Sequence, residues 1–165
     1  MNEIRMVTQS DISDLKKVLD TIDLFPSEML DEMISDYLHN PETDEIWFTE
    51  TNSGTPISIG FCAPEKLTKG TYNLYALGVR SDIQSRGTGS RMMTFIENHL
   101  AEQGHRILII DTSGSDEYLD TRKFYEHLGY TKEASIRDFW SEGDDKVTYW
   151  KRLNESNTFP DKTKS

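Results

Sequence analysis

The feature that most constrains this chain is the glycine-rich run Gln-Ser-Arg-Gly-Thr-Gly at residues 84–89. A strand-like run ending at Val79 precedes it, and a pattern typical of an amphipathic helix, with apolar residues at 92, 93, 96 and 100, follows it. Two glycines at the start of a helix let the backbone approach a ligand closely, and the first amides of a helix have no partner within it. Together with the positive end of the helix dipole and the side chain of Arg86, the run predicts a binding site for a diphosphate.

Two common phosphate-binding loops do not match this run. A dinucleotide-binding fingerprint needs a third glycine where the chain has Met92, and a P-loop needs Gly-Lys-Ser/Thr where the chain has Gly89-Ser90-Arg91. What remains is Gln-x-x-Gly-x-Gly at the start of a helix. Taken by itself, such a run is also compatible with a helix-capping turn that binds nothing.

A second informative segment lies downstream, where a helical stretch ends in Phe-Tyr-Glu-His-Leu-Gly-Tyr at residues 124–130. Gly129 is placed to end that helix in the left-handed conformation. The two segments, in this order, resemble the pyrophosphate loop and the Phe-Tyr-x-x-x-Gly-Tyr signature of the GNAT superfamily of N-acetyltransferases. The resemblance extends from about Asn2 to Leu153, and its specific part begins at Tyr72.

The resemblance implies an α/β (α+β) fold, with a mixed, mostly antiparallel sheet of seven strands and about four flanking helices. The strands that end at Val79 and begin near Ile107 are then parallel, joined in a right-handed sense by a helix at 88–104, and splayed apart at the cofactor site. We expect a single acetyltransferase domain at residues 1–153. Residues 154–165 lack periodicity and are expected to form a disordered tail.

The resemblance also implies acetyl-coenzyme A as the cosubstrate, with its diphosphate on backbone amides and its pantetheine arm along the splayed strand. Many GNAT proteins carry an asparagine seven residues before the signature tyrosine. This chain has Tyr118 there, so the contacts of the arm with residues 113–118 stay open. The cofactor-binding residues that the resemblance implies are Leu77, Val79, Gln84, Ser85, Arg86, Gly87, Thr88, Gly89 and Ser90.

Acyl transfer to an amine sets the catalytic requirements. A lysine-like amine has a pKa of about 10.4, so only about one molecule in a thousand is neutral at pH 7, and a general base helps. Glu65, just after an apolar strand, is the first candidate for this base, and Asp111 at the end of the next candidate strand is the second. Each is otherwise an ordinary solvated carboxylate. The resemblance assigns Tyr125 as the general acid for the departing thiolate, and the alternative for Tyr125 is a core aromatic residue.

Composition argues against several other classes of protein. The net charge of −11, from 18 basic and 29 acidic residues, disfavours nucleic acid as a partner, while Arg80, Arg86 and Arg91 concentrate positive charge around the glycine-rich run. No run is long and apolar enough to cross a membrane. The single cysteine, Cys62, forms no internal disulfide and is expected to be buried, and the four histidines lack metal-ligand spacing. We therefore expect a cytoplasmic protein without a metal.

Two functions are compatible with these residues. The expected one is an acetyl-coenzyme A-dependent N-acetyltransferase that moves an acetyl group directly to an amine of a small molecule or a protein. The alternative is a noncatalytic acyl-coenzyme A-binding sensor or interaction module. Tyr125 and Glu65 favour the enzyme. An amine acceptor is the expected partner, nucleic acid and membranes are not, and a homodimer is left open.

Overall fold

The computed structural model describes residues 1–153, which form eight strands and four α-helices joined by loops and short 3-10 turns. The strands are β1 (Asn2–Met6), β2 (Ile46–Asn52), β3 (Thr55–Pro56), β4 (Ser58–Pro64), β5 (Thr71–Val79), β6 (Ile107–Ser113), β7 (Thr131–Ser141) and β8 (Asp144–Arg152). The helices are α1 (Ile12–Asp20), α2 (Leu30–His39), α3 (Thr88–Glu102) and α4 (Leu119–His127). The disorder predicted for residues 154–165 lies outside the described residues.

The predicted fold class is confirmed: the sheet is mixed and mostly antiparallel, and β5 and β6 are its parallel pair. The additional strand is the two-residue β3, which pairs with the end of β2. The splay of β5 from β6 stays a prediction. The chain divides into two compact units, one of residues 1–64 and 74–96 and one of residues 65–73 and 97 onward, so β5 and α3 each contribute to both.

In the first unit, α1 packs against β3 and β4, and α2 packs against β2. Strand β2 pairs antiparallel with β1, where Met6 lies opposite Phe48, and with β4, where Phe48 lies opposite Gly60. Gly60 is needed at this point because a Cβ atom there would lie 2.4 Å from the Phe48 ring. The buried apolar residues of this core are Val7, Leu15, Leu19, Leu30, Ile34, Trp47 and Ile59.

The first helical segment starts earlier than the sequence suggests. Ser10, a residue type that often caps helices, precedes the apolar residues of α1, but it is not the cap. The cap is Thr8, and it leads into a 3-10 turn at Gln9–Asp11 that continues as α1. The Thr8 backbone N–H donates to the Asp11 carboxylate at 2.8 Å, and Arg5 pairs with the same carboxylate at 2.8 Å. Asp11 therefore joins the end of β1 to the beginning of α1, a contact that the cap pattern alone does not specify.

In the second unit, strand β8 lies between β6 and β7, antiparallel to both. The register places Asp111 opposite Thr148 and Thr131 opposite Trp150. Helix α4 ends at His127, and Gly129, two residues later, has the φ of +93° that is the left-handed conformation predicted from the sequence. None of the helices in residues 1–153 is long and apolar enough to span a membrane.

Candidate active site

The glycine-rich loop before α3 exposes a series of backbone amides. Ser85 and Gly87 both adopt positive φ, +67° and +87°, a backbone conformation that occurs in turns that bind anions. The amides of residues 85–90 donate to no other residue in the described part of the chain. The first bond of the helix is Arg91 N–H to the Gly87 carbonyl, at 3.0 Å. These open donors, at the positive end of a 15-residue helix, form a site that can hold an anion.

Arg91 holds this loop in shape. Its Nε and Nη2 bind the two carboxylate oxygens of the buried Glu50 at 3.0 and 2.9 Å. Its Nη1 donates to the Arg86 carbonyl at 3.2 Å, and its Nη2 donates to the Thr88 hydroxyl at 3.1 Å. The hydrogen bond to Glu50 raises the pKa of Arg91, so the guanidinium stays charged. Arg91 therefore binds groups of the protein itself, whereas the sequence analysis included it in the positive charge near a ligand.

Only one of the three arginines expected around the loop is without an ion pair. Arg80 binds Asp82, with Nε 2.7 Å from the carboxylate. Arg86 is exposed and forms no ion pair within residues 1–153. Arg86 is thus the side chain available to supplement the backbone amides with a charge-assisted hydrogen bond.

The end of β5 is attached to the same loop. The Gln84 side chain donates through Nε2 to the Val79 carbonyl at 3.0 Å. This bond anchors the loop, and it uses one of the two lone pairs of the Val79 carbonyl that the sequence prediction assigned to the pantetheine arm. Leu77 and Val79 are both half-buried, and their contacts with a cofactor stay a prediction.

Tyr125 lies on α4 in the second unit and is 6% exposed. Its ring contacts those of Tyr130 and Tyr149, at centroid distances of 5.9 and 6.4 Å. Those two phenols bind carboxylates: Tyr130 donates to Glu97 at 2.6 Å and Tyr149 donates to Glu126 at 2.8 Å. The Tyr125 hydroxyl forms no hydrogen bond with any described residue. Burial raises the pKa of Tyr125, so its phenol keeps its proton at neutral pH.

The two candidate bases of the second unit are connected through one asparagine. The Asn73 Nδ2 donates to Glu65 Oε2 at 2.6 Å and to Asp111 Oδ2 at 3.1 Å. Asp111 also accepts a hydrogen bond from Thr148 at 2.6 Å and lies 4.0 Å from the Lys146 ammonium. The structure therefore joins the first and second choices for the base into one hydrogen-bonded cluster.

Asn73 was not a candidate in the sequence analysis. The residue is 2% exposed, and its Oδ1 is a buried acceptor with no partner among the described residues. An unsatisfied buried polar atom destabilises the folded state by about 1–3 kcal/mol. The signal that could have found Asn73 is its place between Tyr72 and Leu74, where a polar side chain interrupts an apolar run.

Comparison with known proteins gives the family. Residues 42–132, more than half of the chain, match the family model described as "Acetyltransferase (GNAT) domain". The chain belongs to the GNAT acetyltransferase family. No curated protein sequence matches it.

Solved structures agree with this assignment. A GNAT-family protein from Desulfovibrio desulfuricans is 25% identical, covers 93% of this chain and 99% of its own, and superposes with a TM-score of 0.86. The ribosomal-protein-S18-alanine N-acetyltransferase of Escherichia coli is 16% identical, with coverages of 93% and 94% and a TM-score of 0.75. An aminoglycoside 6′-N-acetyltransferase complexed with coenzyme A is also 16% identical, with coverages of 92% and 97% and a TM-score of 0.72. The last two show that the fold is shared.

In this GNAT chain, β7 carries an aromatic bulge beside the carboxylate cluster. Four residues, 137–140, lie opposite a single residue of β8, and they present Phe139 and Trp140 about half exposed. The Trp140 indole donates to the Thr112 carbonyl at 3.3 Å. The Lys146 ammonium lies 4.2 Å from the centre of the Phe139 ring and is the same ammonium that lies near Asp111. Such bulges are common next to active sites because they reorient side chains.

Neither a reactive thiol nor a metal-binding cluster is found among the described residues. Cys62 is fully buried, as predicted, and burial raises the pKa of its thiol, so it does not form the reactive thiolate. Among the described residues, no group of three or more His, Cys, Asp or Glu side chains could hold a metal ion. The loop at 113–118 is held internally, since Arg122 donates to the Ser113 and Ser115 carbonyls at 2.7 Å each.

Proposed function

We propose that this GNAT chain is an acetyl-coenzyme A-dependent N-acetyltransferase that transfers an acetyl group directly to an amine. The observation that carries the proposal is Tyr125: a buried phenol, still protonated, that alone among three neighbouring tyrosines lacks a hydrogen-bond partner in the described residues. A proton donor without a partner is suited to a group that is present only during the reaction.

The loop before α3 fits the diphosphate of the cofactor. Its open amides at 85–90 can each donate to a phosphate oxygen, and Arg86 can add one charged donor. Gln84 keeps the loop attached to β5, and the backbone groups of Leu77 and Val79 are assigned to the pantetheine arm. When bound, acetyl-coenzyme A supplies a thioester whose carbonyl carbon bonds to the amine nitrogen as its carbon–sulfur bond breaks.

Two side chains move the protons of this exchange. Glu65 accepts the proton that the amine nitrogen loses, directly or through a water molecule. Tyr125 donates its proton to the departing sulfur, which leaves coenzyme A as a thiol. Burial raises the pKa of Tyr125 and disfavours a charged thiolate beside it, so the phenol keeps its proton until the carbon–sulfur bond breaks and the sulfur takes it. Tyr125 then regains a proton from solvent, and Glu65 releases the amine proton to solvent. No acyl-enzyme is needed, since Cys62 is buried and its thiol is protonated.

A thiol-release assay tests the proposal. The chain is incubated with acetyl-coenzyme A and a panel of amines, and the coenzyme A released is measured. Two similar structures belong to enzymes named for a protein alanine amine and for aminoglycosides, so the panel includes peptides with a free N-terminus and amino sugars. The alternative function, a noncatalytic binding module, is supported instead by tight cofactor binding without release for any amine. A cytoplasmic location and a homodimer stay predictions from the sequence.

We expect Arg86→Ala to weaken the binding of acetyl-coenzyme A by about 1–3 kcal/mol, the usual contribution of a charge-assisted hydrogen bond. Because Arg86 is exposed, the loss is smaller at high ionic strength. Calorimetric titration at two salt concentrations measures both effects. Arg137→Ala, which removes an exposed charge from β7, is the control and leaves the affinity unchanged. Equal effects of the two variants would mean that Arg86 acts only through net charge.

We expect Glu65→Gln to lower kcat/KM by about 100-fold near pH 7, the lower range of a general-base contribution. The deficit shrinks as the pH approaches about 10.4, because the amine then loses its proton without help. A rate profile from pH 6 to 10 measures this change. Asp111→Asn is the comparison, since Asp111 is already bound by Thr148 and lies near Lys146. A larger loss in Asp111→Asn would assign the base to Asp111.

A further inference from the structure

Asn73 lies at the centre of a series of side chains that ends at Glu65. We propose that Asn73 is a positioning residue, which holds the Glu65 carboxylate in the direction that lets it accept the proton of the acceptor amine. The inference rests on the proposed function, and it goes further by assigning a role to a residue that does not itself touch the reacting atoms.

The hydrogen bonds of this series run in one direction. Thr148 donates to Asp111 Oδ1 at 2.6 Å, and Asp111 Oδ2 accepts from Asn73 Nδ2 at 3.1 Å. The same nitrogen donates its second hydrogen to Glu65 Oε2 at 2.6 Å. Because the bond to Asp111 sets the rotation of the amide, the other N–H is directed at Glu65. Asp111 therefore orients Asn73, and Asn73 orients Glu65.

The charges around the cluster give the two carboxylates different roles. Lys146, on β8, lies 4.0 Å from Asp111 Oδ2 and partly balances its negative charge. A hydrogen bond donated to a carboxylate oxygen fixes the direction in which the carboxylate points, and the Asn73 bond does this for Glu65. Lys146, Thr148 and Asn73 thus place one cation and two neutral donors against these carboxylates.

The unsatisfied Oδ1 atom indicates that packing alone does not explain Asn73. A leucine of nearly the same shape would fill the site without leaving a buried acceptor unpaired. The amide contributes two N–H donors that leucine lacks, and among the described residues both go to the two candidate bases. A buried polar side chain with one unpaired atom lowers the stability of the fold. Such a side chain is expected where its other polar atoms serve a function.

The test uses Asn73→Leu and measures two properties. The profile of kcat/KM against pH is expected to show a loss of about tenfold or more near pH 6.5 that disappears as the pH approaches about 10.4, where the amine loses its proton without a base. The wild-type profile is the reference for this loss. The affinity for acetyl-coenzyme A, from calorimetric titration, is expected to change by less than about twofold.

Two further variants keep the test decisive. Asn73→Asp has the same shape but lacks the N–H donors, so it shows the same loss of kcat/KM near pH 6.5. Asn40→Leu is the matched control, because the Asn40 amide donates to the Asp36 carboxylate at 3.1 Å, away from the cluster, and neither property changes in this variant.

The outcomes separate this inference from the proposed function. A wild-type chain that acetylates none of the amines contradicts the proposed function, and the inference with it. Acetylation with a kcat/KM profile that neither Asn73 variant changes overturns the inference and leaves the proposed function standing. If neither Asn73 variant folds, the residue is structural and the inference is wrong.

Discussion

Tyr125→Phe is expected to lower turnover by about 100-fold or more, while the affinity for acetyl-coenzyme A and the melting temperature stay nearly unchanged. The substitution removes only the hydroxyl, which forms no hydrogen bond with the described residues, and keeps the ring against Tyr130 and Tyr149. Steady-state kinetics at saturating amine, calorimetric titration and a thermal unfolding curve give the three measurements. Because burial raises the pKa of Tyr125, the wild-type rate is not expected to fall from loss of this proton below about pH 10.

Tyr149→Phe is the matched control for this result. Its hydroxyl donates to Glu126 at 2.8 Å, so its removal breaks a structural hydrogen bond and leaves a carboxylate with one donor fewer. We therefore expect the opposite pattern, with a lower melting temperature and nearly normal turnover. Full turnover of Tyr125→Phe, with chemistry shown to limit the rate, would make Tyr125 an ordinary packing residue.

The parts of this fold that the sequence predicts well are those that depend on near neighbours in the chain. A glycine after the last turn of α4 predicts a left-handed residue, and Gly129 has φ +93°. The glycine-rich run predicts a helix start, and α3 begins at Thr88 within it. Two such segments in the right order indicated the family, and the family resemblance then supplied the parallel pairing of β5 with β6, which local patterns do not determine.

The parts that the sequence analysis missed depend on contacts between distant residues. Arg91 binds Glu50, 41 positions away, and Asn73 binds Asp111, 38 positions away. In the sequence, Arg91 resembles a common surface charge, and Asn73 resembles a polar side chain out of place in an apolar run. Only the pairing of strands and helices decides whether Arg91 faces a ligand or a buried carboxylate, so a count of arginines near the loop overestimated the charge available to a cofactor.

The same reasoning applies to the two candidate bases. Glu65 and Asp111 were proposed separately, each for its place at the end of a strand. Their connection through Asn73 follows from the place of β5 next to β6 in the sheet and from the place of Asn73 early in β5. A pattern with a period of two residues predicts which face a side chain occupies, but it does not give the partner on the next strand.

A substitution in the glycine-rich loop before α3 is also expected to have a large effect. Gly87→Val is expected to lower the affinity for acetyl-coenzyme A by at least about 100-fold. Gly87 has φ +87°, and a Cβ atom there would lie 3.0 Å from Arg91 Nη1. The valine therefore displaces the arginine that holds the loop and turns the following amides away from the phosphates. Losing two charge-assisted hydrogen bonds at about 1.5 kcal/mol each corresponds to about 100-fold in affinity. Calorimetric titration measures the loss, and Gly89→Val, in the first turn of α3, is expected to act in the same direction.

Gly54→Val separates lost binding from backbone strain. Gly54 has nearly the same φ, +88°, but an added Cβ meets nothing within 4 Å. Both variants force a β-branched residue into the left-handed region, which destabilises the fold by about 1–2 kcal/mol, so their melting temperatures should fall by similar amounts. Only Gly87→Val should also lose the cofactor, because only Gly87 is followed by the open amides. If both loop variants, Gly87→Val and Gly89→Val, bind acetyl-coenzyme A as tightly as the wild-type chain, the diphosphate lies elsewhere on the molecule and the anion site before α3 is a helix cap alone.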